Sequence, residues 1–392
     1  MTYEVDDICP LTGINKSELR REIKKQLELF EELVHDELEK SDIRSLHRGH
    51  LLEFYTKNMK FWNTNKFHLR KILIDGNCVN PEKIQPILLE VTSNEKFRTI
   101  AFRLAKFNWS VPPSNGFGRR LRFLVWDKYH KALIGVIGLT DPVFNLKVRD
   151  EFIGWNTDDR NNKLVSILDA FMLGAVPPYS NLLGGKLVAS LLSSEDISKI
   201  FEKKYKNSTG IISGKLKKPK LAAITTTSVL GKSSVYNRLK LDGDCILRNI
   251  GYTSGFGHFQ FSSDIFEKLK KLVSSEGRKN EVSFVYGNGP NWKIRVIREG
   301  LRLLELDQKH VKHGIKREVY YCSHYKNSEA YLNGTASRLL LKTTKKTKDL
   351  SDMALKRWVL PRSQRDQSFK NFRVEDWIEN VEQKLDALNE NC

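Results

Sequence analysis

The chain has 392 residues, 40% of them apolar and 29% charged, which is enough to bury a sizeable core and excludes a disordered or low-complexity polypeptide. It carries 66 Lys and Arg against 47 Asp and Glu, a formal charge of +19. The longest apolar run, Leu164 to Val176, is interrupted by Asp169 and falls short of the ~18–20 residues of a membrane span. The start, MTYEVDD, is acidic and has no apolar signal core, so the sequence predicts a cytoplasmic protein without membrane association.

The charge is uneven. Residues 1–110 hold 18 basic and 17 acidic side chains, residues 111–250 hold 22 and 12, and residues 251–392 hold 26 and 18. A positive field over the last two thirds of the chain attracts polyanions, nucleic acid among them. The five cysteines (Cys9, Cys78, Cys245, Cys322, Cys392) are scattered, with no CxxC and no Cys/His cluster, so neither a disulfide framework nor a structural metal is expected.

In chain order, Leu19, Ile23, Leu27, Phe30, Val34 and Leu38 recur at helical spacing and predict a helix over 17–40, with Ser17 as its N-cap. A second helix is expected from Gly49 to Trp62 and another start at Pro81-Glu82-Lys83, making the first third mostly helical. Trp109-Ser110-Val111-Pro112-Pro113 marks a change of texture. Strand-like runs follow at Leu121–Trp126, Leu133–Leu139 and Leu164–Val176, the first two joined as a hairpin through Asp127–Lys131. Helices are expected from Leu182 or Leu183 to Leu192 and from Ser194 to Tyr205, and then a basic loop at Lys215–Lys220. Next come a strand at Leu221–Val229, a helix at Ser233–Leu239 and a Gly- and aromatic-rich β-like stretch at Ile250–Phe261. Helices at Asp264–Ser275 and Pro290–Leu306, a strand at Arg317–Cys322, a basic linker at Lys342–Lys348 and an amphipathic helix at Glu375–Leu388 complete the reading.

Several groupings carry possible chemistry. Arg119, Arg120 and Arg122 crowd the start of a strand beside Gly116 and Gly118; guanidinium is the preferred planar donor to phosphate, and strand alternation puts Arg120 and Arg122 on one face. The competing account is a charged strand edge that discourages aggregation. Gly184-Gly185-Lys186 opens a helix after an apolar strand, an arrangement that suits either an anion or close packing. Gly231-Lys232-Ser233-Ser234 imitates the end of a phosphate-binding loop, but Thr226 stands where that motif needs glycine; a generic anion cradle at the Ser233 and Ser234 amides is the expectation, against simple capping by Ser233. Tyr236 is a possible acid or a core tyrosine, His258 a structural histidine, and Arg149-Asp150 an ion pair. Asp127, Asp141, Asp150 and Glu151 would serve a nuclease, although no metal-ligand spacing singles them out.

The strings WSVPPSNGFGRRLRFLVWD, LDAFMLGAVPPYSNLLGGKLVASLL, ITTTSVLGKSSVYNRLKL and GYTSGFGHFQ, within a stretch from about Ile43 to about Gly334, resemble the DruA family of the Druantia anti-phage defence systems. The resemblance implies an antiviral role, DNA-related settings and partner proteins that include a large helicase. That family is in turn distantly similar to the GNAT acyltransferase fold. This implies a pyrophosphate-binding glycine turn at Leu183–Lys186 between a strand and a helix, a tyrosine acid at Tyr236, and acyl-CoA as a possible cofactor. The expected architecture is α/β: a mostly helical region over 1–108, a GNAT-like mixed-sheet domain over 109–341, and a basic linker with a helical tail over 342–392. The function expected is a defence component that binds nucleic acid or a defence complex; the alternative is acyl transfer to a phage or host molecule.

Overall fold

The computed structural model describes Cys9 and residues 11–33, 38–209, 216–217, 219–276 and 292–389. The acidic start at 1–7, Val34, part of the Lys215–Lys220 loop, Pro290 and Cys392 lie outside the described residues. The first elements are helices α1 (Lys16–Leu33), α2 (Lys40–Leu46) and α3 (Arg48–Asn65). Asn15 rather than Ser17 caps α1, its side chain accepting from the Glu18 amide at 2.9 Å. The helix expected to run to residue 40 ends earlier. A reciprocal Glu39/Asp42 capping box starts α2 instead, with the Glu39 amide on Asp42 at 2.8 Å.

A strand not anticipated from the sequence, β1 (Pro86–Glu90), follows; Pro81–Lys83 makes only a single 3-10 turn before it. Next come α4 (Lys96–Ala105), β2 (Arg120–Asp127), β3 (Ala132–Thr140), β4 (Ile167–Ala175), α5 (Gly184–Ser190) and α6 (Glu195–Tyr205). The chain continues through β5 (Ala223–Thr227), β6 (Arg248–Tyr252), α7 (Ser263–Glu276), α8 (Trp292–Leu303), β7 (Glu318–Ser323), α9 (Thr347–Ala354) and α10 (Val374–Asn389).

The seven strands form one mixed sheet in the order β1-β2-β3-β4-β5-β7-β6. Every neighbouring pair is antiparallel except β4 and β5, which run parallel. That parallel pairing covers only Ile167–Asp169 against Ala223–Thr225, so the remainder of β4 leaves β5 and follows β3 alone. β3 is buried along its whole length, which is why ALIGVIGLT is a nearly continuous apolar run.

Helices cover both faces of the sheet. Leu121, Phe123 and Val125 of β2 point to one side, with Leu187 and Val188 of α5, Phe201 of α6 and Leu350 of α9. Leu124 of β2 points to the other, with Tyr55 and Trp62 of α3, Phe102 of α4, and Ile378 and Val381 of α10. Each buried Leu or Ile in these layers contributes roughly 1.5–3 kcal/mol relative to exposure. A third layer packs Leu19, Ile23 and Leu27 of α1 on Leu269 of α7 and Ile297 of α8. Among the described residues no helix is long and apolar enough to cross a membrane.

Two local expectations fail. Ser233–Leu239 is not a helix: the Ser233 carbonyl and hydroxyl close a single turn, accepting from Asn237 at 3.1 Å and Tyr236 at 3.1 Å. Arg238, at φ 58°, then leaves helical geometry. Ile250–Phe261 is strand only as far as Tyr252 and loop beyond.

Candidate nucleic-acid interface

Arg119, Arg120 and Arg122 are separated by the alternation of β2. Arg119 turns inward. Its Nε donates to Asp141 Oδ1 at 2.7 Å, and its amide donates to Asp141 Oδ2 at 2.9 Å. Nη1 reaches the Val165 carbonyl at 2.8 Å, and the guanidinium lies over the rings of Phe201 and Tyr205. Gly118, at φ 61°, is required here because a Cβ would collide with the Asp141 carboxylate. Arg119 thus ties the entry of β2 to the end of β3 and the approach to β4.

Arg120 and Arg122 lie on the opposite face, that of α4. Arg122 is half-buried with its guanidinium 5.8 Å from the Phe102 ring centre. From α4 comes Arg103, exposed and 3.5 Å above the Phe61 ring, and from the turn after α4 comes Lys106. The Lys106 ammonium donates to Asn115 Oδ1 at 2.7 Å. Burial, then the positive charges of Arg103, Arg122 and Arg120, push its pKa down to about 8. Burial first and Arg120 second also lower that of Arg122. Among the described residues none of these four cations has an ion-pair partner. Four cations without a carboxylate partner among the described residues, two of them with their protonation lowered by their neighbours, form a site that gains by meeting phosphate. Arg103 and Lys106 were not singled out in the sequence; the available signal was their i, i+3 spacing opposite the buried Phe102 and Leu104.

Of the other site residues, the glycines, Ser233 and Tyr236 face protein. α5 begins at Gly184, where a Cβ would collide with the Tyr179 carbonyl, and Gly185 packs on Val235. Lys186 lies 5.8 Å from the Trp358 ring centre, its pKa lowered by burial and then by Arg357 and Arg238. The Ser233 amide donates to Glu318 Oε2 at 2.9 Å, so a buried carboxylate of the chain stands where an external anion was expected. Glu318 further accepts from Asn249 at 3.0 Å and from the Tyr320 hydroxyl. Lys232 and Ser234 are exposed. Tyr236 sits in the opening between β4 and β5 and donates its hydroxyl to the Leu173 carbonyl at 3.1 Å; burial alone raises its pKa. Inward-facing glycines, an amide already taken by Glu318 and a tyrosine bonded to the strand do not fit acyl-CoA, and no acyl-transfer step is derived through it.

The carboxylates are engaged as well. Asp127 accepts from the amides of Gln85, Tyr129 and His130, and its other oxygen meets His130 Nδ1 at 2.7 Å and the Tyr179 hydroxyl at 2.9 Å. Asp150 pairs with the fully buried Arg149 at 2.6 Å and with Arg160 at 3.2 Å.

Residues 37–334 match the family model described as "Druantia protein DruA". The chain belongs to the DruA family. A curated relative, the Druantia protein DruA of Escherichia coli (strain UMEA 4076-1), is 43% identical over 337 residues, 86% of this chain and 83% of the relative. No solved structure matches the chain. The family match spans β1 to β7 and so includes every cation of the cluster at Arg103, Lys106, Arg120 and Arg122.

Proposed function

We propose that this DruA-family protein is a cytoplasmic component of a Druantia-type anti-phage defence system and engages nucleic acid through Arg103, Lys106, Arg120 and Arg122. The observation that carries this reading is that these four cations share the face of β2 and α4 without a carboxylate partner among the described residues. An uncompensated cluster on a chain of charge +19 favours a polyanion over a neutral ligand. The family membership supports the defence role in a Druantia system; action beside a helicase is what the family resemblance implies.

The strand order, the single parallel β4/β5 pair and the glycine turn at the start of α5 support a GNAT-like reading of the core, used here as a scaffold. Acyl-CoA-dependent transfer is the alternative that the family resemblance implies; the inward-facing glycines and the hydrogen bond of Tyr236 oppose it.

The test is the salt dependence of duplex DNA binding. Arg120→Ala/Arg122→Ala lowers the slope of log affinity against log salt by ~1.8 units if each arginine meets one phosphate. An unchanged slope in the folded double variant removes the cluster from the interface.

A further inference from the structure

A concave surface lies beside the basic cluster. It is a groove of about 420 Å³ between the α2–α3 junction, the chain at Trp109 and helix α10. Arg44, Arg48 and Lys384 line it, all exposed, and no Asp or Glu is among the lining residues. Among the described residues Arg48 and Lys384 make no ion pair, and Arg44 donates from Nε to the Ser110 hydroxyl at 3.3 Å.

The walls of the groove are aromatic. Trp109 and Trp377 are half-buried, each presenting part of its indole, and Tyr55 lies beneath with its hydroxyl on the Phe107 carbonyl. Both indoles are held. Trp377 packs on the fully buried Trp62, ring centres 5.9 Å apart. The six-membered ring of Trp109 lies over Gly174, where a Cβ would come within 3.2 Å of Cζ2. Pre-positioned rings lose little conformational entropy when another flat group stacks on them.

Half-exposed indoles ringed by exposed cations suit a ligand that is flat, apolar on its faces and anionic at its edge. An unpaired nucleotide has that chemistry: the base stacks on an aromatic side chain while the phosphate meets Lys or Arg. A duplex hides its base faces and offers phosphates alone. The groove also continues from the cluster, because Lys106 belongs to the cluster and the residues directly after it, Phe107 to Ser110, line the groove.

From this juxtaposition we infer that the groove receives an unpaired nucleotide of a single strand whose backbone runs on to Arg103, Arg120 and Arg122, so that the protein prefers single-stranded to duplex nucleic acid. The inference rests on the nucleic-acid reading above and narrows it to one class.

Fluorescence anisotropy with a labelled 15-mer of deoxythymidine and with a 15-base-pair duplex tests it. Wild-type protein is expected to bind the single strand more tightly. Trp109→Ala and Trp377→Ala are each expected to weaken single-strand binding roughly tenfold while changing duplex binding less than twofold. Because Trp377 also packs on Trp62, a second variant uses exposed positions only: Arg48→Glu/Lys384→Glu is expected to weaken single-strand binding by at least tenfold. Single-strand affinity within twofold of wild type in that folded variant overturns the inference. So does free deoxythymidine monophosphate competing as well as the 15-mer, which would assign the groove to a mononucleotide. If Arg120→Ala/Arg122→Ala loses binding and the groove variants keep it, the interface stands and the groove falls. Wild-type protein that binds neither form fails the interface reading and this inference with it.

Discussion

The Tyr236 hydroxyl donates to the Leu173 carbonyl at 3.1 Å, filling the opening where β4 departs from β5. The residue holds a strand carbonyl that lacks a sheet partner on that side. A buried carbonyl without a donor is unfavourable, so this bond has a structural use without any catalysis.

Tyr236→Phe is accordingly expected to lower stability by about 1 kcal/mol while leaving phage protection intact. Urea denaturation and a plaque assay on the same variant check both halves. Loss of protection by a folded, normally abundant variant would favour the acyltransferase reading.

Arg119 and Arg120 are neighbours in sequence with opposite assignments. Arg119→Ala strands Asp141 beside Gly118 and is expected to reduce stability by about 1–3 kcal/mol. Arg120→Ala, at an exposed position, is expected to change it by less than ~0.5 kcal/mol. Equal losses in thermal or urea denaturation would contradict this division.

Nucleic-acid binding through this cluster is expected to depend on pH through Lys106. With its pKa pushed down to about 8, the side chain is mostly charged at pH 7 and mostly neutral at pH 9. If only the charged form meets phosphate, affinity falls by up to ~10-fold across that interval. Lys106→Arg keeps the charge and is expected to flatten the profile, measured by anisotropy at constant ionic strength.

Acid stability follows from buried neutral histidines. Burial, with Arg317 adding to it at His47 and His313, lowers the pKa of His47 to about 3 and of His313 to about 4. Burial alone takes His324 to about 4. Unfolded histidine titrates near ~6.5, so below that pH the unfolded chain takes up protons that the native state refuses. The stability these groups contribute is complete above pH ~6.5 and declines toward pH ~4, on the order of 1 kcal/mol per pH unit for each histidine. Urea midpoints between pH 7 and 5 are expected to fall, and less steeply in His324→Gln; a flat profile would count against neutral burial.

By itself the sequence determined whatever depends on near neighbours. The stripe of Leu19, Ile23 and Leu27, the helix start at Ser194, and the alternation that sets Arg120 with Arg122 are periodic or adjacent, and a period is readable without a partner. The charge excess was legible for the same reason. Only the tertiary structure decided the rest. Pro86–Glu90 is a strand because β2 offers it an edge, while PILLE alone fits either conformation. Ser233–Leu239 stops at one turn, where Arg238 turns to φ 58°, and its Ser233 amide is held by Glu318, 85 residues away, a contact no local pattern announces. Arg119 leaves the arginine cluster because Asp141 lies across a hairpin, and Arg103 and Lys106 join it because α4 packs on the same face of the sheet. Ion pairs and sheet contacts between distant residues leave no period in the sequence, and they settle which charges are consumed and which remain for a ligand.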